Sequence, residues 1–151
     1  MSAETRPSLG RHLLALVYDT FLVVPLIMLT TALIMGLYVT ILPPPPAQND
    51  IVALPPTAVQ AGALLSVALF YFIFWRRGGQ TLGMQAWRIK LVDLNGSPAA
   101  TRQLLLRLCA AILAYGLFGL GLAWRFVDKN GLYLHDRLSG TKLVQIPKVT
   151  S

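Results

Sequence analysis

Three apolar stretches, separated by polar or proline-rich intervals, organise the chain. The first runs from Leu13 to Leu42 with Asp19 as its single charged residue. About 30 helical residues would measure roughly 45 Å, longer than the ~30 Å hydrocarbon core of a bilayer. A transmembrane helix over about 13–41 therefore tilts, kinks at Pro25 or overruns the core at one end. Pro43 to Pro46 stop it, and residues 43–56 read as an extended, polyproline-like loop with no basic residue. Thr57 is placed to cap a second helix over 57–75, close to the minimum spanning length. Along it Ala58, Gly62 and Ser66 recur at every fourth position, a flat stripe suited to close helix packing.

Residues 76–102 change character. Ile89, Leu91 and Val92 mix with charges, and Asn95-Gly96 is a turn signal, so a short strand is expected at about 88–93. TKLVQI, 141–146, is the other strand candidate, and two lone strands pair with each other as a small β-hairpin. That pairing bears on the third apolar stretch, 103–124, which Gly116, Gly119 and Gly121 interrupt. A single crossing there would put the tail, 125–151, on the far side from the first strand. A re-entrant helical hairpin returns it to the same side, and non-helical backbone at depth is tolerated where protein covers it. The expected fold is one domain over 1–151: an α-helical integral membrane protein with two transmembrane helices, a re-entrant third segment (a third crossing being the alternative) and a small cytoplasmic β-hairpin.

Composition agrees with a bilayer as solvent. Hydrophobic residues make up 55% of the chain against 13% charged, and mean hydropathy is +0.60; soluble domains carry about 25% charged residues. The net charge of +7 comes from 13 Lys/Arg against 6 Asp/Glu. No basic residue lies between Arg11 and Arg76, whereas Arg76, Arg77, Arg88, Lys90 and Arg102 follow. The positive-inside rule then puts residues 1–12 and 76–102 in the cytoplasm and the proline loop outside. Contact with membrane lipids and their anionic headgroups explains the basicity more simply than nucleic acid does. The first apolar run is too long, and too free of a small-residue cleavage site, for a cleaved signal peptide. Cys109 has no partner for a disulfide and is expected to be a buried, inert thiol.

The candidate chemistry lies in a few charges. A carboxylate inside a membrane helix costs roughly 2.5–3.5 kcal/mol, so Asp19 needs a partner or a path for water. Arg11 lies eight residues earlier, about 12 Å along the axis and roughly 80° around it. Arg107, in the third stretch, is another candidate counter-charge. Asp136, in YLHDRLSGT beside His135 and Arg137, caps a helix, pairs with an arginine or joins Asp19 in a polar cluster. Asp19 at the interface, locking helices together, remains an equal alternative to a functional role. Two histidines, His12 and His135, are too few for a metal site, and nothing calls for a cofactor. No Ser/His/Asp order, phosphate loop or carboxylate pair points to an enzyme, and Gly78 to Gly83 reads as a juxtamembrane turn.

These residues also fall into an order that resembles the RDD family, named for one arginine and two aspartates. Arg11 opening the first helix and Asp19 within it match the first arginine and aspartate. Gly79-Gln80-Thr81-Leu82-Gly83 matches a GQTLG-type motif, and Leu91 to Gly96 a strand of the LVDxxG kind. Leu134 to Thr141 matches the closing LHDxLSGT element, with Asp136 as the second aspartate. The chain departs at Met84, where the family often carries a basic residue. The resemblance covers nearly the whole chain and implies a multi-pass bacterial inner-membrane protein, with transport suggested for the family, including cation/proton antiport in some members. Two spans and a hairpin enclose no pathway alone, so transport implies a homo-oligomer or a larger membrane complex. A non-catalytic accessory or assembly subunit, its Arg/Asp cluster structural, is the alternative.

Overall fold

The structure, a computed structural model, describes residues 5–41, 54–116, 124, 126–129 and 131–147. It is mostly helical: α1 (Leu9–Ile41), α2 (Pro56–Gly78), α3 (Leu82–Ala86), β1 (Ile89–Asp93), α4 (Thr101–Gly116), α5 (Leu134–Ser139) and β2 (Thr141–Gln145). Two of these helices, α1 with 33 residues and α2 with 23, are long and apolar enough to cross a membrane. α1 starts before its apolar run because the Ser8 hydroxyl accepts from Arg11 N at 3.3 Å, a cap for an otherwise orphan donor. α2 opens on Pro56, whose missing N–H is harmless in a first turn. It closes with Arg76 and Arg77 in its last turn, where cations meet the negative end of the helix dipole. The expected proline loop falls mostly at 43–53, outside the described residues.

The chain divides into two compact units, one of residues 1–19 and 71–151, the other of Thr20–Phe70. The described residues of the second unit are mainly the remaining parts of α1 and α2. There a Cβ built on Gly62 would lie 2.6 Å from Ile34 Cδ1, so the glycine lets the helices close up. Ser66, buried beside it, donates to Gly62 O at 2.6 Å, and Thr30 to Leu26 O at 2.8 Å, so neither hydroxyl is left unsatisfied. The large apolar side chains point outward: Phe21 is 74% exposed, Met28 68% and Leu33 65%. A water-soluble helix pair would bury that face.

The first unit is built around the sheet. β1 and β2 are antiparallel, with Ile89 opposite Gln145, Leu91 opposite Leu143 and Asp93 opposite Thr141. Ile89, Leu91 and Leu143 form one core with Ala15, Met84, Leu104 and Tyr133. Both edges are engaged. Leu91 N donates to Gly79 O (2.7 Å) and Gln80 Nε2 to Ile89 O (2.7 Å), while Gln145 N donates to Thr5 O (2.8 Å). After β1 the Asp93 carboxylate accepts from Asn95 N and Ser97 N at 2.9 and 2.7 Å, and Gly96 takes φ 86°, an Asx turn of the kind NG-containing loops form. The strands are not a hairpin: Leu94 to Gly140, including α4 and α5, lies between them. The expected β-hairpin is thereby corrected to a sheet of two distant strands, since pairing does not specify the connection.

α4 is a single helix of 16 residues, about 24 Å long. Leu104, Arg107, Ala110 and Ala114 face the unit's interior, while Leu105, Leu106, Cys109, Ile112 and Leu113 face out. The expectation of a buried thiol is thereby corrected. Cys109 lies on the helix face opposite the buried stripe, and an apolar neighbourhood in sequence says nothing of helical phase. The proposed re-entrant turn at Gly119 and Gly121 lies outside the described residues.

Gly79 ends α2 at φ 70°, and a Cβ there would meet Leu91 O at 2.7 Å. Gly36, in α1, has open space around it. Gly79→Ala is therefore expected to lower stability in detergent by about 1–3 kcal/mol, through left-handed strain and a backbone clash. Gly36→Ala should leave it unchanged or raise it by about 0.5–1 kcal/mol. Thermal unfolding of both variants checks the contrast.

Candidate functional site

The buried polar groups of the first unit fall into two clusters. The first forms where α1 meets the turn before α3. His12, Ala15 and Asp19 are the buried positions of this part of α1, spaced three and four apart along one stripe. Asp19 is 1% exposed. Its Oδ2 accepts from Thr81 Oγ1 at 2.5 Å and its Oδ1 from Gly83 N at 2.9 Å. Thr81 also caps α3, accepting from Met84 N at 3.2 Å. One carboxylate thus fastens α1 to the first turn of α3, supplying acceptors that the free backbone and hydroxyl donors there need. The contact is close: a Cβ on Gly83 would sit 2.2 Å from Ala15 O and 2.9 Å from Asp19 Oδ1. Only glycine fits.

The second cluster joins α4, α5 and β2. Arg107, 2% exposed, donates through Nη1 to Asp136 Oδ1, with which it forms a salt bridge, and to Thr141 Oγ1 at 2.7 Å. Its guanidinium also lies over the Trp75 ring, 5.2 Å from the centroid, a cation–π contact with the end of α2. Asp136 Oδ2 accepts from Tyr133 N at 3.4 Å, closing the first turn of α5. Ser139 Oγ donates to His135 O at 2.6 Å and lies 2.7 Å from Thr141 Oγ1, and Gly140 at φ 65° ends α5 in the left-handed conformation.

An aromatic column stands beside this pair. His12 stacks on Tyr133 at 4.9 Å between centroids, and Tyr133 on His135 at 5.4 Å. His135 Nε2 is 3.7 Å from Asp136 Oδ1, too long for a hydrogen bond. Burial pushes the His135 pKa down to about 2, helped by the positive field of Arg107 and then of His12. The ring is therefore neutral, and its contact with Asp136 is not an ion pair. A shallow crevice between Arg6, Tyr133 and Asp136 has room for water only. Among the described residues no group of His, Cys, Asp or Glu could hold a metal ion.

The sequence profile of the RDD family matches residues 6–140. The chain belongs to the RDD family. It is also similar to Uncharacterized protein RP437 of Rickettsia prowazekii (strain Madrid E), at 29% identity over 82 residues. That stretch is 54% of this chain and 46% of the relative, so the chain spans about half the length of the curated relative it matches. No solved structure matches the chain.

The two RDD aspartates take different partners. Asp19 meets Thr81 and Gly83 of the GQTLG motif, not an arginine, and Gln80 and Gly79 hold the β1 edge. Asp136 meets Arg107. Arg137 pairs instead with Asp128, with its own side chain exposed. Arg11 is exposed, and its side chain has no hydrogen bond or ion pair among the described residues. Helical phase explains this: residues eight apart differ by roughly 80°, residues seven apart by roughly 20°. His12 therefore shares the Asp19 stripe and Arg11 does not. From sequence, His12 is weighed only as a metal ligand and Thr81, Ser139 and Thr141 only as parts of motifs, and Tyr133 has no assigned role. Counting sevens back from Asp19 would have found the first, and asking what accepts or donates at each aspartate the others.

Two expectations follow. Asp136→Asn leaves the Arg107 charge buried without its partner and should cost about 3–5 kcal/mol in unfolding experiments, while the double variant Arg107→Met/Asp136→Leu recovers most of it. Because the folded pKa of His135 lies below the ordinary 6.5, its contribution is fully present above that pH and is lost as pH falls from 6.5 towards about 2. The melting temperature should thus drop on acidification below pH 6.5, less steeply in His135→Leu.

Proposed function

We propose that this RDD protein is a multi-pass inner-membrane protein in which the Arg/Asp residues are structural, acting as a non-enzymatic subunit with further copies or a partner. Segregation of charge supports the topology. All 13 Lys/Arg belong to the unit of residues 1–19 and 71–151, and none to Thr20–Phe70. By the positive-inside rule the basic unit is cytoplasmic and the two spans are α1 and α2. β1 precedes the third apolar stretch and β2 follows it, yet they pair, and Thr5 joins the β2 edge. The pairing supports a cytoplasmic side for both ends of the chain, and with it an even number of crossings, or none, for segment 103–124. A re-entrant course meets that condition.

The observation that carries the structural role is the bonding of both buried aspartates. Asp19 holds two donors from Thr81 and Gly83, and Asp136 holds Arg107. Each joins elements distant in sequence, as a fastening does. A transport or ion-coupling role is favoured by one specific fact, namely that Asp19 is a buried carboxylate in a candidate span with no cation paired to it among the described residues.

Reconstitution separates the two. Wild-type proteoliposomes should show no cation-driven proton flux above empty vesicles, and the mass of the intact complex in mild detergent should exceed one chain. Asp19→Ala should lower folded yield and complex recovery. A wild-type flux that Asp19→Asn abolishes while folding survives overturns the structural reading in favour of transport.

A further inference from the structure

α4 is built inside out. The charged residue in the middle of the helix, Arg107, points into the unit, and the outward stripe is Leu105, Leu106, Cys109, Ile112 and Leu113, of which Leu113 is 63% exposed. Arg102, also exposed, begins the same stripe: positions 102, 105, 106, 109 and 113 are three, four, seven and eleven residues on, one face of a helix. The stripe thus carries a single charge, at its N-terminal end. From Arg102 to Leu113 is about 16 Å along the axis, close to half of the ~30 Å hydrocarbon thickness. A face that is polar at one end and apolar for one leaflet's depth matches the layering of a lipid: phosphate first, chains beyond.

We infer that the outer stripe of α4 is a lipid-binding surface for an anionic phospholipid, with Arg102 on the headgroup phosphate and Leu105 to Leu113 against the acyl chains. This rests on the membrane reading proposed above. Two features favour lipid over a second copy of the chain. Close helix contacts in membranes use small residues; in α4 Ala110 and Ala114 are turned inward and Ala111 is half-buried, leaving mainly branched Leu and Ile on the outer stripe. The positive charge at the headgroup end complements an anionic lipid and would repel its counterpart in a parallel copy.

Cys109 is the single cysteine of this sequence, so the wild-type chain labels at one place in the middle of the stripe. Labelled with bimane in vesicles of phosphatidylglycerol and phosphatidylcholine, it should be quenched by lipids brominated on their chains and not by aqueous iodide. Brominated phosphatidylglycerol should be preferred over brominated phosphatidylcholine about fivefold, the ratio expected of one basic residue at the surface. Arg102→Gln should bring that ratio to unity without removing the chain quenching. Quenching by iodide shows the stripe facing water and overturns the inference. Quenching by neither shows protein covering it, from a second copy or a partner, and overturns it equally. A ratio of unity in the wild type overturns the assignment of Arg102. The label moved to residue 29, as Leu29→Cys in a Cys109→Ser background, reports separately on α1: loss of chain quenching there defeats the membrane reading itself.

Discussion

The folded basic unit depends on a buried arginine. Arg107 lies on α4 with almost no exposure, and removing a guanidinium from water is tolerated only where its charge is met at short range. Asp136 meets it from α5, Thr141 from β2 and the Trp75 ring from the end of α2. Four elements must therefore converge on one side chain before its burial is favourable. Around that point the remaining choices follow: α5 ends in a left-handed glycine so that β2 can turn back, and β2 then finds β1.

Asp19 imposes a second, separate constraint. It is a carboxylate satisfied without a cation, by a hydroxyl and a backbone N–H at the first turn of a five-residue helix. Such a short helix has little intrinsic stability. The aspartate and Thr81 supply the acceptors its first turn lacks, while Gly83 lets α1 approach near enough for this to happen. The GQTLG motif is in this sense a receptor for an α1 carboxylate, and the LHDRLSGT motif a receptor for an α4 guanidinium.

What the sequence disclosed, and what it withheld, divides along local and distant physics. The apolar runs marked α1 and α2, and Asn95-Gly96 marked the turn after β1, because each is decided by nearby residues. Both strands were legible as short segments mixing apolar and polar residues, but their connection was not. The partners of Asp19 and Asp136 are 62 to 64 and 29 residues away respectively, and nothing in the spacing of charges identifies such contacts. Arg11 was conspicuous for its charge, while His12, one residue along and about 100° around the helix, is the side chain that enters the core. Charge draws attention in a sequence; phase decides what is inside.

The long separation of β1 from β2 also sets a timetable for the nascent chain. β1 leaves the ribosome well before its partner, and at about 5–20 residues per second the intervening segment takes several seconds to make. From the synthesis of Arg107 until that of Asp136 the arginine has no carboxylate, and until Thr141 follows the β1 edge that β2 will cover is open. The last strand is thus also the closing step of assembly: a chain interrupted before Asp136 carries a charge without its counter-charge, and one interrupted before Thr141 still carries an unpaired strand edge.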